Sequence, residues 1–518
     1  MKRLDIDLTP EQYHIESERR LAVARRLGVA PNEVGPIVVT RRSLDSRRGT
    51  VRYHAQLEVY APTEPMAAAN YASPYRQCHN GEPVVVVGAG PAGLFAALRM
   101  LELGLKPIIV ERGKAVGDRK YDIARLTRDR VVDPDSNWCF GEGGAGTYSD
   151  GKLYTRSTKR GDVGNVLRKF IEHGADPEIL IDAHAHIGTD RLSGIIGRMR
   201  QTVTDCGGEY HFGHRVADLI VDSDNNVKGV ACTDGTRFEG RAVVLATGHS
   251  ARDIYRLFAH RGWELQAKPF ALGVRVEHPQ ELINQLQYHS QKLSPLLPPA
   301  AYSLVTQVDG HGVFSFCMCP GGVIVPAATA AGEQVVNGMS NSRRNSPFAN
   351  SGIAVSVGLA DVPAYADRGP LALLEFQEEV EQAMFAAAGE PITAPAQGLV
   401  DFCNGRESQR LNASGYMATL APRPLHRLLP PFVAEALQQG FRDFDRKMHG
   451  FLTAEATIMA VESRTSSPVR IPRLPDGQHT QLRNLYPCGE GAGYAGGIVS
   501  SAMDGIKVAE QIYATLNH

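Results

Sequence analysis

Runs of apolar residues bounded by glycines predict the strands and helices of an α/β protein. Residues 84–87 are four valines, a continuous apolar run typical of a strand buried on both faces of a parallel sheet. Leucines recur at helical spacing from Leu94 to Leu101, and Gly104 ends this segment. A second apolar run, Ile108–Val110, follows at once. The pattern therefore predicts a strand–helix–strand unit over residues 84–112.

A smaller α+β pattern precedes this unit. Leu4–Leu8 alternates between apolar and acidic residues, as a half-buried strand does. Thr9 is followed by Pro-Glu-Gln, which is a helix start with a capping box, and Gly28 ends the predicted helix. Two further strands are predicted within residues 37–59. The sequence therefore predicts a ferredoxin-like α+β domain over residues 1–75.

The later segments indicate a nucleotide-binding domain that is discontinuous in sequence. Val227–Thr233 and Thr236–Leu245 read as two strands joined by an Asp-Gly turn, and the second runs into Ala-Thr-Gly. We predict a Rossmann-like α/β fold of the glutathione-reductase type over residues 83–268 and 480–518. An inserted α+β substrate domain is predicted over residues 269–479.

Composition narrows the function classes. The 518 residues are 43% hydrophobic and 21% charged, with a net charge of −1 and a pI near 7.0, as in an ordinary globular protein. No segment reaches the length of a membrane span, and the N-terminus lacks the apolar core of a secretory signal. The eight cysteines have no CxxC or zinc-type spacing. We expect a cytoplasmic protein that does not bind DNA.

The first strand–helix junction carries a dinucleotide-binding motif. Gly88 permits a tight turn, Gly90 lets the backbone approach a pyrophosphate, and Gly93 allows the helix to pack on the strand. Glu111 lies 21 residues after Gly90, where an acid is expected to bind the adenosine ribose. A pyrophosphate at the helix N-terminus is stabilised by free N–H groups and the helix dipole. Because Glu111 would repel the 2′-phosphate of NADP, the expected ligand is FAD or NAD.

Three later segments favour FAD. Residues 242–248 read Ala-Val-Val-Leu-Ala-Thr-Gly, a strand ending that is common in two-dinucleotide-type flavoproteins. Residues 138–153 include a glycine-rich run that allows main-chain N–H groups to approach an anion or a flat ring. Residues 485–498 resemble the last motif of the glutathione-reductase-type flavoproteins, with Glu490 where that motif more often has Asp.

Five segments extend the resemblance across nearly the whole chain: residues 140–153, 315–322, 337–340, 343–346 and 462–470. They resemble a bacterial FAD-dependent dehydrogenase family that carries a small N-terminal α+β domain. The resemblance implies FAD as the cofactor and redox chemistry, and it implies no particular substrate.

The residues predicted to bind the cofactor lie in these glycine-rich motifs and strand ends. They are Gly88, Gly90, Pro91, Ala92, Gly93, Glu111, Arg112, Gly143, Gly144, Ala145, Gly146, Thr147, Val216, Thr247, Gly248, Gly489, Glu490, Gly491, Gly497 and Ile498.

Three residues are predicted to be catalytic: His249, Tyr494 and Arg343. His249 follows a strand ending, where α/β sheets bind ligands, and its imidazole can act as an acid or a base. A structural hydrogen-bonding role is the alternative. Tyr494 is expected to stack near the flavin or to gate it.

Arg343 belongs to a set of motif-embedded arginines, with Arg344, Arg464 and Arg470, that suits a carboxylate-bearing substrate. Ion pairing with Glu462 is the alternative. His184 and His186 alternate without an acidic cluster nearby, so no metal site is predicted.

Cys317 and Cys319 are expected to share one face of a strand. Their CxC spacing is not that of the disulfide reductases. Pocket lining or core packing is therefore favoured over thiol catalysis.

The function predicted on these grounds is hydride transfer between a small organic substrate and flavin N5. A second dinucleotide motif is not visible, so any NAD(P)H would bind transiently in the substrate cleft. Two alternatives stay open. One is an RNA-modifying flavoprotein, motivated by the 11 basic against 8 acidic residues in positions 1–60 and opposed by the neutral pI. The other is a non-catalytic, FAD-bound electron-transfer partner.

Overall fold

The computed structural model describes residues 1–47, 49–66, 69–155 and 161–517. Its N-terminal unit is a three-stranded antiparallel sheet formed by Lys2–Leu8, Arg52–Val59 and Ile37–Asp45 in that spatial order. Two helices, Pro10–His14 and Glu16–Leu27, connect the first two strands in sequence.

The N-terminal unit confirms the predicted helix start and corrects the predicted fold. Thr9 and Gln12 form the capping box, and Gly28 ends the helical segment with φ +70°. However, the helix is broken at Ile15. The three described strands form a split βαβ arrangement, whereas a ferredoxin-like fold has four strands and a second crossover helix. The described N-terminal unit is therefore smaller than the ferredoxin-like domain that the sequence predicted.

The predicted strand–helix–strand unit lies in a five-stranded parallel sheet. Its strands, in spatial order, are Leu485–Pro487, Ala242–Leu245, Pro83–Val87, Lys106–Glu111 and Glu209–Phe212. The last segment of the chain thus completes a sheet that begins at residue 83. The described residues show this parallel α/β architecture without distinguishing the glutathione-reductase subtype.

The four valines of the first strand pack on both faces of this sheet. Val84 and Val86 lie in a core with the helices, and Val85 and Val87 lie in a second core on the opposite face. The helices Pro91–Leu103 and Ile498–Leu516 pack against each other on the first face. The remaining helices of this region are Val116–Asp129, Val163–Glu172, Thr189–Asp205 and Arg252–Arg261.

A three-stranded meander covers the second face, formed by Val216–Val221, Val227–Cys232 and Arg237–Glu239. The predicted strand Thr236–Leu245 is therefore two strands. Its first part ends the meander, and the chain then passes Gly240 and enters the parallel sheet at Ala242. Gly240 and Arg241 interrupt the segment at this change of sheet.

A seven-stranded mixed sheet carries the middle of the chain. In spatial order its strands are Val305–Val308, His311–Cys319, Phe348–Val357, Phe270–Pro279, Thr457–Glu462, Ala394–Gly398 and Leu420–Pro422. The last pair is parallel and the others are antiparallel. Five helices accompany the sheet: Gln280–Tyr288, Ala372–Ala388, Leu399–Cys403, Leu425–Leu428 and Pro431–Lys447.

Two short ladders join neighbouring segments. Gln266–Ala267 pairs with Val469–Arg470, and Val323–Pro326 pairs with Val336–Met339. Among the described residues, no helix combines the length and the apolar character that crossing a bilayer requires.

Candidate functional site

A cavity of about 590 Å³ lies between the carboxyl edge of the parallel sheet and one face of the seven-stranded sheet. Both ends of the chain contribute to it, because Gly90 and Gly497 lie in its wall. Fifteen of the residues predicted to bind the cofactor line it: Gly88, Gly90, Pro91, Ala92, Glu111, Arg112, Gly144, Ala145, Gly146, Val216, Thr247, Gly248, Glu490, Gly497 and Ile498.

The first wall of the cavity is the turn after strand Pro83–Val87. Gly90 is the N-cap of helix Pro91–Leu103, so main-chain N–H groups at this end are free of a side-chain cap. A Cβ placed on Gly90 would meet nothing closer than the Cα of Gly144, at 4.0 Å. The space beside Gly90 therefore belongs to the cavity, and it suits the close approach of a pyrophosphate.

Five predicted cofactor residues lie behind the wall instead: Gly93, Gly143, Thr147, Gly489 and Gly491. A Cβ on Gly93 would overlap the carbonyl oxygen of Gly88, so Gly93 serves the packing of helix on strand. A Cβ on Gly491 would lie 2.6 Å from the carbonyl oxygen of Gly248. Gly93 and Gly491 thus let the segments of the site approach one another. Direct contact of these five residues with the cofactor stays a prediction.

Glu111 has a different role from the one expected at the ribose. Its buried carboxylate accepts hydrogen bonds from the main-chain N–H groups of Ala89 at 2.8 Å, Gly113 at 2.9 Å and Gly141 at 3.0 Å. The acid thus ties the dinucleotide turn to the glycine-rich loop. It also lines the cavity, so ribose binding by Glu111 stays a prediction.

A buried arginine organises the glycine-rich loop, and the sequence analysis missed it. Arg119 is fully buried and donates hydrogen bonds to the carbonyl oxygens of Asn137, Trp138, Glu142 and Gly144 at 2.8–2.9 Å. Because these loop carbonyls point toward Arg119 and away from the cavity, the main-chain N–H groups of the loop can face the cavity. The only signal of this role is one arginine within a helical pattern, which is otherwise typical of a solvent-exposed face.

The C-terminal motif supplies a second free helix end. Gly497 is the N-cap of helix Ile498–Leu516, and Gly497 and Ile498 line the cavity. Behind this motif, Asp504 accepts a hydrogen bond from the N–H of Gly489 at 2.8 Å and pairs with Arg473 at 2.6 Å. Two helix N-termini from opposite ends of the chain therefore meet at one cavity.

His249 lines the cavity, as predicted for a catalytic residue. Its Nδ1 lies 3.6 Å from Oε1 of Glu490, which also lines the cavity. Arg112 is a wall residue too, but its guanidinium pairs with Asp253 and stacks on Phe140 at 4.3 Å from the ring centroid. Its charge is therefore already partnered within the protein.

Neither Tyr494 nor Arg343 is among the described residues that line the cavity. The hydroxyl of Tyr494 accepts a hydrogen bond from the N–H of Arg473 at 3.0 Å, and its ring stacks on the Arg473 guanidinium. Arg343 is exposed. Neither side chain therefore lies in the cavity wall, and a catalytic role for Tyr494 or Arg343 stays a prediction.

Two other arginines of the motif-embedded set, Arg344 and Arg464, form buried ion pairs. Arg464 pairs with Glu333 at 2.7 Å and Glu381 at 2.9 Å, and Arg344 pairs with Asp150 at 2.6 Å. The ion-pair alternative therefore applies, although Glu462 pairs with Arg275 instead. Because the guanidinium groups of Arg344 and Arg464 are already paired, they give no support for a carboxylate-bearing substrate.

The seven-stranded sheet provides the other wall, which the sequence analysis largely missed. The sheet residues of this wall are Phe314, Phe316, Cys317, Met318 and Glu462, and Tyr302 and Asn337 from adjoining segments line the cavity with them. Opposite it, Asp150 and Lys152 follow the glycine-rich loop. Local sequence spacing cannot indicate that residues 150 and 317 meet, because only the packing of the two sheets brings them together.

These features fit FAD on structural grounds. The cavity has two free helix N-termini for an anion, a glycine cradle that any side chain would fill, and an apolar face that suits a ring. Its volume lies within the usual range for a small-molecule site.

Comparison with known proteins gives the same cofactor. Residues 83–120 match an FAD binding domain, and residues 269–465 match the family described as "FAD-dependent protein, C-terminal domain-like". Residues 1–60 match a domain of unknown function. An uncharacterized protein of Clostridium beijerinckii is 38% identical over 509 residues, which are 95% of this chain and 94% of that protein.

More distant similarities are partial. A digeranylgeranylglycerophospholipid reductase of Methanothrix thermoacetophila is 39% identical over 95 residues, 17% of this chain and 24% of that protein. The structure of 2,6-dihydroxypyridine-3-hydroxylase from Arthrobacter nicotinovorans aligns with a TM-score of 0.37 at 14% identity, over 84% of each chain. A similarity at this level supports no argument about activity. The full-length relative and the domain matches place the chain in a family of bacterial FAD-dependent proteins, so the protein is a flavoprotein.

Proposed function

We propose that this flavoprotein transfers a hydride between a small organic substrate and flavin N5. The observation that carries the proposal is the single continuous cavity, which has dinucleotide-binding glycines at one end and a mixed wall of aromatic and polar side chains at the other. A substrate in the second part of this cavity would share it with the cofactor's ring.

The chain's own residues have separable tasks in this proposal. Bound FAD supplies hydride acceptance or donation. The helix ends at Gly90 and Gly497 hold the cofactor's anionic part, and Phe314 and Phe316 exclude water from the reacting end. His249, positioned by Glu490 at Nδ1, is the cavity imidazole that we propose exchanges a proton with the substrate.

Anaerobic stopped-flow mixing of the purified yellow protein with NADH, NADPH and a metabolite library tests this proposal. We expect at least one donor to bleach the oxidised flavin with a saturable rate. Failure of every donor, together with a stable protein partner that exchanges electrons with the flavin, would instead favour an electron-transfer protein.

The variant His249→Ala tests the proton-transfer role. We expect it to retain FAD and to slow flavin reduction by the identified donor at least about 100-fold, the lower range for a general acid or base. His260→Ala is the matched control, because His260 is exposed on helix Arg252–Arg261. Unchanged reduction kinetics in His249→Ala would remove this histidine from the reaction.

Two arginines of the N-terminal unit, which motivated the RNA-modifying alternative, are already paired with acids of this chain. Arg42 pairs with Glu178 and Asp182 across to the FAD-binding region, and Arg47 pairs with Asp45. Arg48, which follows Arg47 in the chain, lies outside the described residues. RNA affinity with a steep dependence on salt would revive this alternative.

A further inference from the structure

The strand His311–Cys319 is distorted where it borders the cavity. It pairs with Phe348–Val357 up to Phe316 opposite Gly352, and pairing resumes at Cys319 opposite Asn350. One strand thus advances three residues while its partner advances two, which is a β-bulge at Cys317 and Met318. Cys317 has a φ of +44°, in the left-handed region that residues other than glycine rarely adopt.

The bulge brings two thiols together. In a regular strand, residues i and i+2 are about 6.8 Å apart along the chain. Here the Sγ atoms of Cys317 and Cys319 are 3.9 Å apart, in van der Waals contact. Strained backbone of this kind persists where the surrounding structure holds it, and it often occurs at functional sites.

The two thiols differ in their access to the cavity. Cys317 is half-buried and lines the cavity, next to Met318 and Lys152. Cys319 is fully buried and is not among the described residues that line it. The pair therefore has one sulfur facing the cavity and one sulfur behind it, which is the arrangement of an attacking thiol and a resolving thiol.

The charges around the pair favour one thiolate. The Nζ of Lys152 lies 3.8 Å from the Sγ of Cys317 and donates to the carbonyl oxygen of Met318. Arg275 donates to the carbonyl oxygen of Cys317 at 3.3 Å. The hydrogen bond with Cys319 and the positive charge of Lys152 hold the pKa of Cys317 well below its usual value.

The same contacts separate the two thiols in acidity. The hydrogen bond to Cys317 and burial raise the pKa of Cys319. Although burial disfavours its charge, Lys152 has a raised pKa because the two cysteines and Asp150 lie close to it. The pair is therefore expected to carry its negative charge on Cys317, with Cys319 as the protonated partner.

A charge count over the connected side chains agrees with this state. Arg275 pairs with Glu462 at 2.7 Å, Arg344 pairs with Asp150 at 2.6 Å, and Lys152 lies 3.7 Å from the same aspartate. Three cations face two carboxylates in this cluster. A thiolate at Cys317 supplies the missing negative charge.

We propose that Cys317 and Cys319 form a redox-active dithiol that exchanges an electron pair with the flavin in the same cavity. The Cys317 thiolate and the Cys319 thiol form one S–S bond. Two electrons and the Cys319 proton pass to oxidised flavin, which becomes the singly protonated reduced anion. In the reverse direction, reduced flavin returns the disulfide to thiolate and thiol. The proposal rests on bound FAD and not on the substrate of the proposed function.

Anaerobic reductive titration of the oxidised holoenzyme with dithionite tests the proposal directly. We expect the wild type to accept about four electrons per flavin, two for each of two two-electron couples, and Cys317→Ser and Cys319→Ser to accept about two. Cys206→Ser, outside the cavity, should still accept about four. Uptake of about two electrons by the wild type would overturn the proposal, as would about four in Cys319→Ser.

Mass spectrometry provides a readout that needs neither turnover nor the variants. In an oxidising glutathione buffer, wild-type protein should yield a peptide with an internal disulfide between residues 317 and 319, which dithiothreitol removes. A peptide that carries only two separate glutathione adducts would overturn the proposal. Neither measurement depends on whether any organic substrate bleaches the flavin, so the proposed function can fail independently.

The positioning role of Lys152 has its own test. In the wild type, the pH midpoint for alkylation of Cys317 by iodoacetamide should lie below that of free cysteine, whereas Lys152→Met should shift this midpoint upward by at least about one unit. Lys152→Arg, which keeps the positive charge, should restore the profile. An unchanged midpoint in Lys152→Met would show that Lys152 does not activate the thiol.

Discussion

Main-chain groups form one end of the cavity, and ionised side chains contribute to the other. At the dinucleotide end, main-chain N–H groups and glycines such as Gly90 form the surface, and the side chains lie behind it. At the other end, beneath the seven-stranded sheet, ionised side chains such as Lys152 and Arg464 reach the wall and pair with buried carboxylates.

This difference gives the two ends different sensitivities. Main-chain amides do not titrate, so the dinucleotide end should tolerate changes in pH and fail only when its space is filled. The charged end depends on pairing, because a buried charge that loses its partner destabilises a protein by about 3–5 kcal/mol. A substitution that fills space at the dinucleotide end should therefore remove the flavin, whereas a substitution that removes a charge at the other end should lower the stability in a pH-dependent way.

Filling the dinucleotide end should have the largest effect. In Gly90→Val the new side chain enters the cavity rather than the protein, since the nearest atom to a Cβ there is 4.0 Å away. We expect complete loss of bound flavin with the far-ultraviolet circular dichroism of the folded protein retained. The flavin-to-protein absorbance ratio after gel filtration measures the loss.

A glycine outside the cavity separates this effect from a general loss of glycine. Gly197 lies within helix Thr189–Asp205, and a Cβ there meets nothing within 4 Å. Gly197→Ala should keep its flavin. A Gly90→Val protein as yellow as the wild type would show that the cofactor lies elsewhere.

Removing one charge from the opposite end should cost stability and change its dependence on pH. Glu381 is buried between Arg252 and Arg464, and although burial opposes its charge, these arginines lower its pKa from 4.5 to about 2. Its contribution is therefore full above about pH 4.5 and is lost as the pH falls toward 2. We expect Glu381→Gln to lower the free energy of unfolding by about 3 kcal/mol at pH 7.

Urea unfolding at several pH values checks this expectation. The difference between wild type and Glu381→Gln should shrink as the pH is lowered from about 4.5 toward 2, since the carboxyl group is then protonated in the unfolded state while it stays ionised in the folded state. A difference that stays constant down to about pH 3 would contradict the ion-pair explanation.

A second buried carboxyl group, Glu277 on strand Phe270–Pro279, should respond in the opposite sense and more weakly. Burial raises the pKa of Glu277 from 4.5 to about 7, although it accepts a hydrogen bond from the N–H of Gly415 at 3.1 Å. Its folded state is favoured below about pH 4.5, and this advantage is lost as the pH rises through 7. We expect Glu277→Gln to be more stable than the wild type by about 1–2 kcal/mol at pH 8 and similar to it at pH 4. Greater stability of the wild type at pH 8 would contradict this expectation.

The elements that the sequence predicted well are those set by neighbours along the chain. The four valines, the glycine spacing that follows and the Thr9 capping box all depend on residues within a few positions, and all are present. The prediction failed where one predicted strand proved to belong to two sheets. Residues 236–245 change from a mostly polar segment to an apolar run at Ala242, and the chain leaves the meander at Gly240 and joins the parallel sheet.

The candidate site also has residues that local sequence identified and residues that only the packing of distant segments revealed. The glycines near residue 90 were identified because close approach of a backbone to a phosphate requires a residue without a side chain at a fixed spacing. The roles of Arg119 and of Lys152 were not identified, because a basic residue has the same local signature on a solvated face as in a buried network.

The sequence by itself determined the cofactor class, since glycine spacing, strand pattern and helix ends are local and together leave room for one kind of ligand. The tertiary structure alone decided what faces that ligand. Lys152 and Cys317 are 165 positions apart, and they meet only because the two sheets pack edge to face and a bulge turns one thiol into the cavity. Contacts of this kind depend on the summed packing of many distant residues, which leaves no periodicity in the chain to be read.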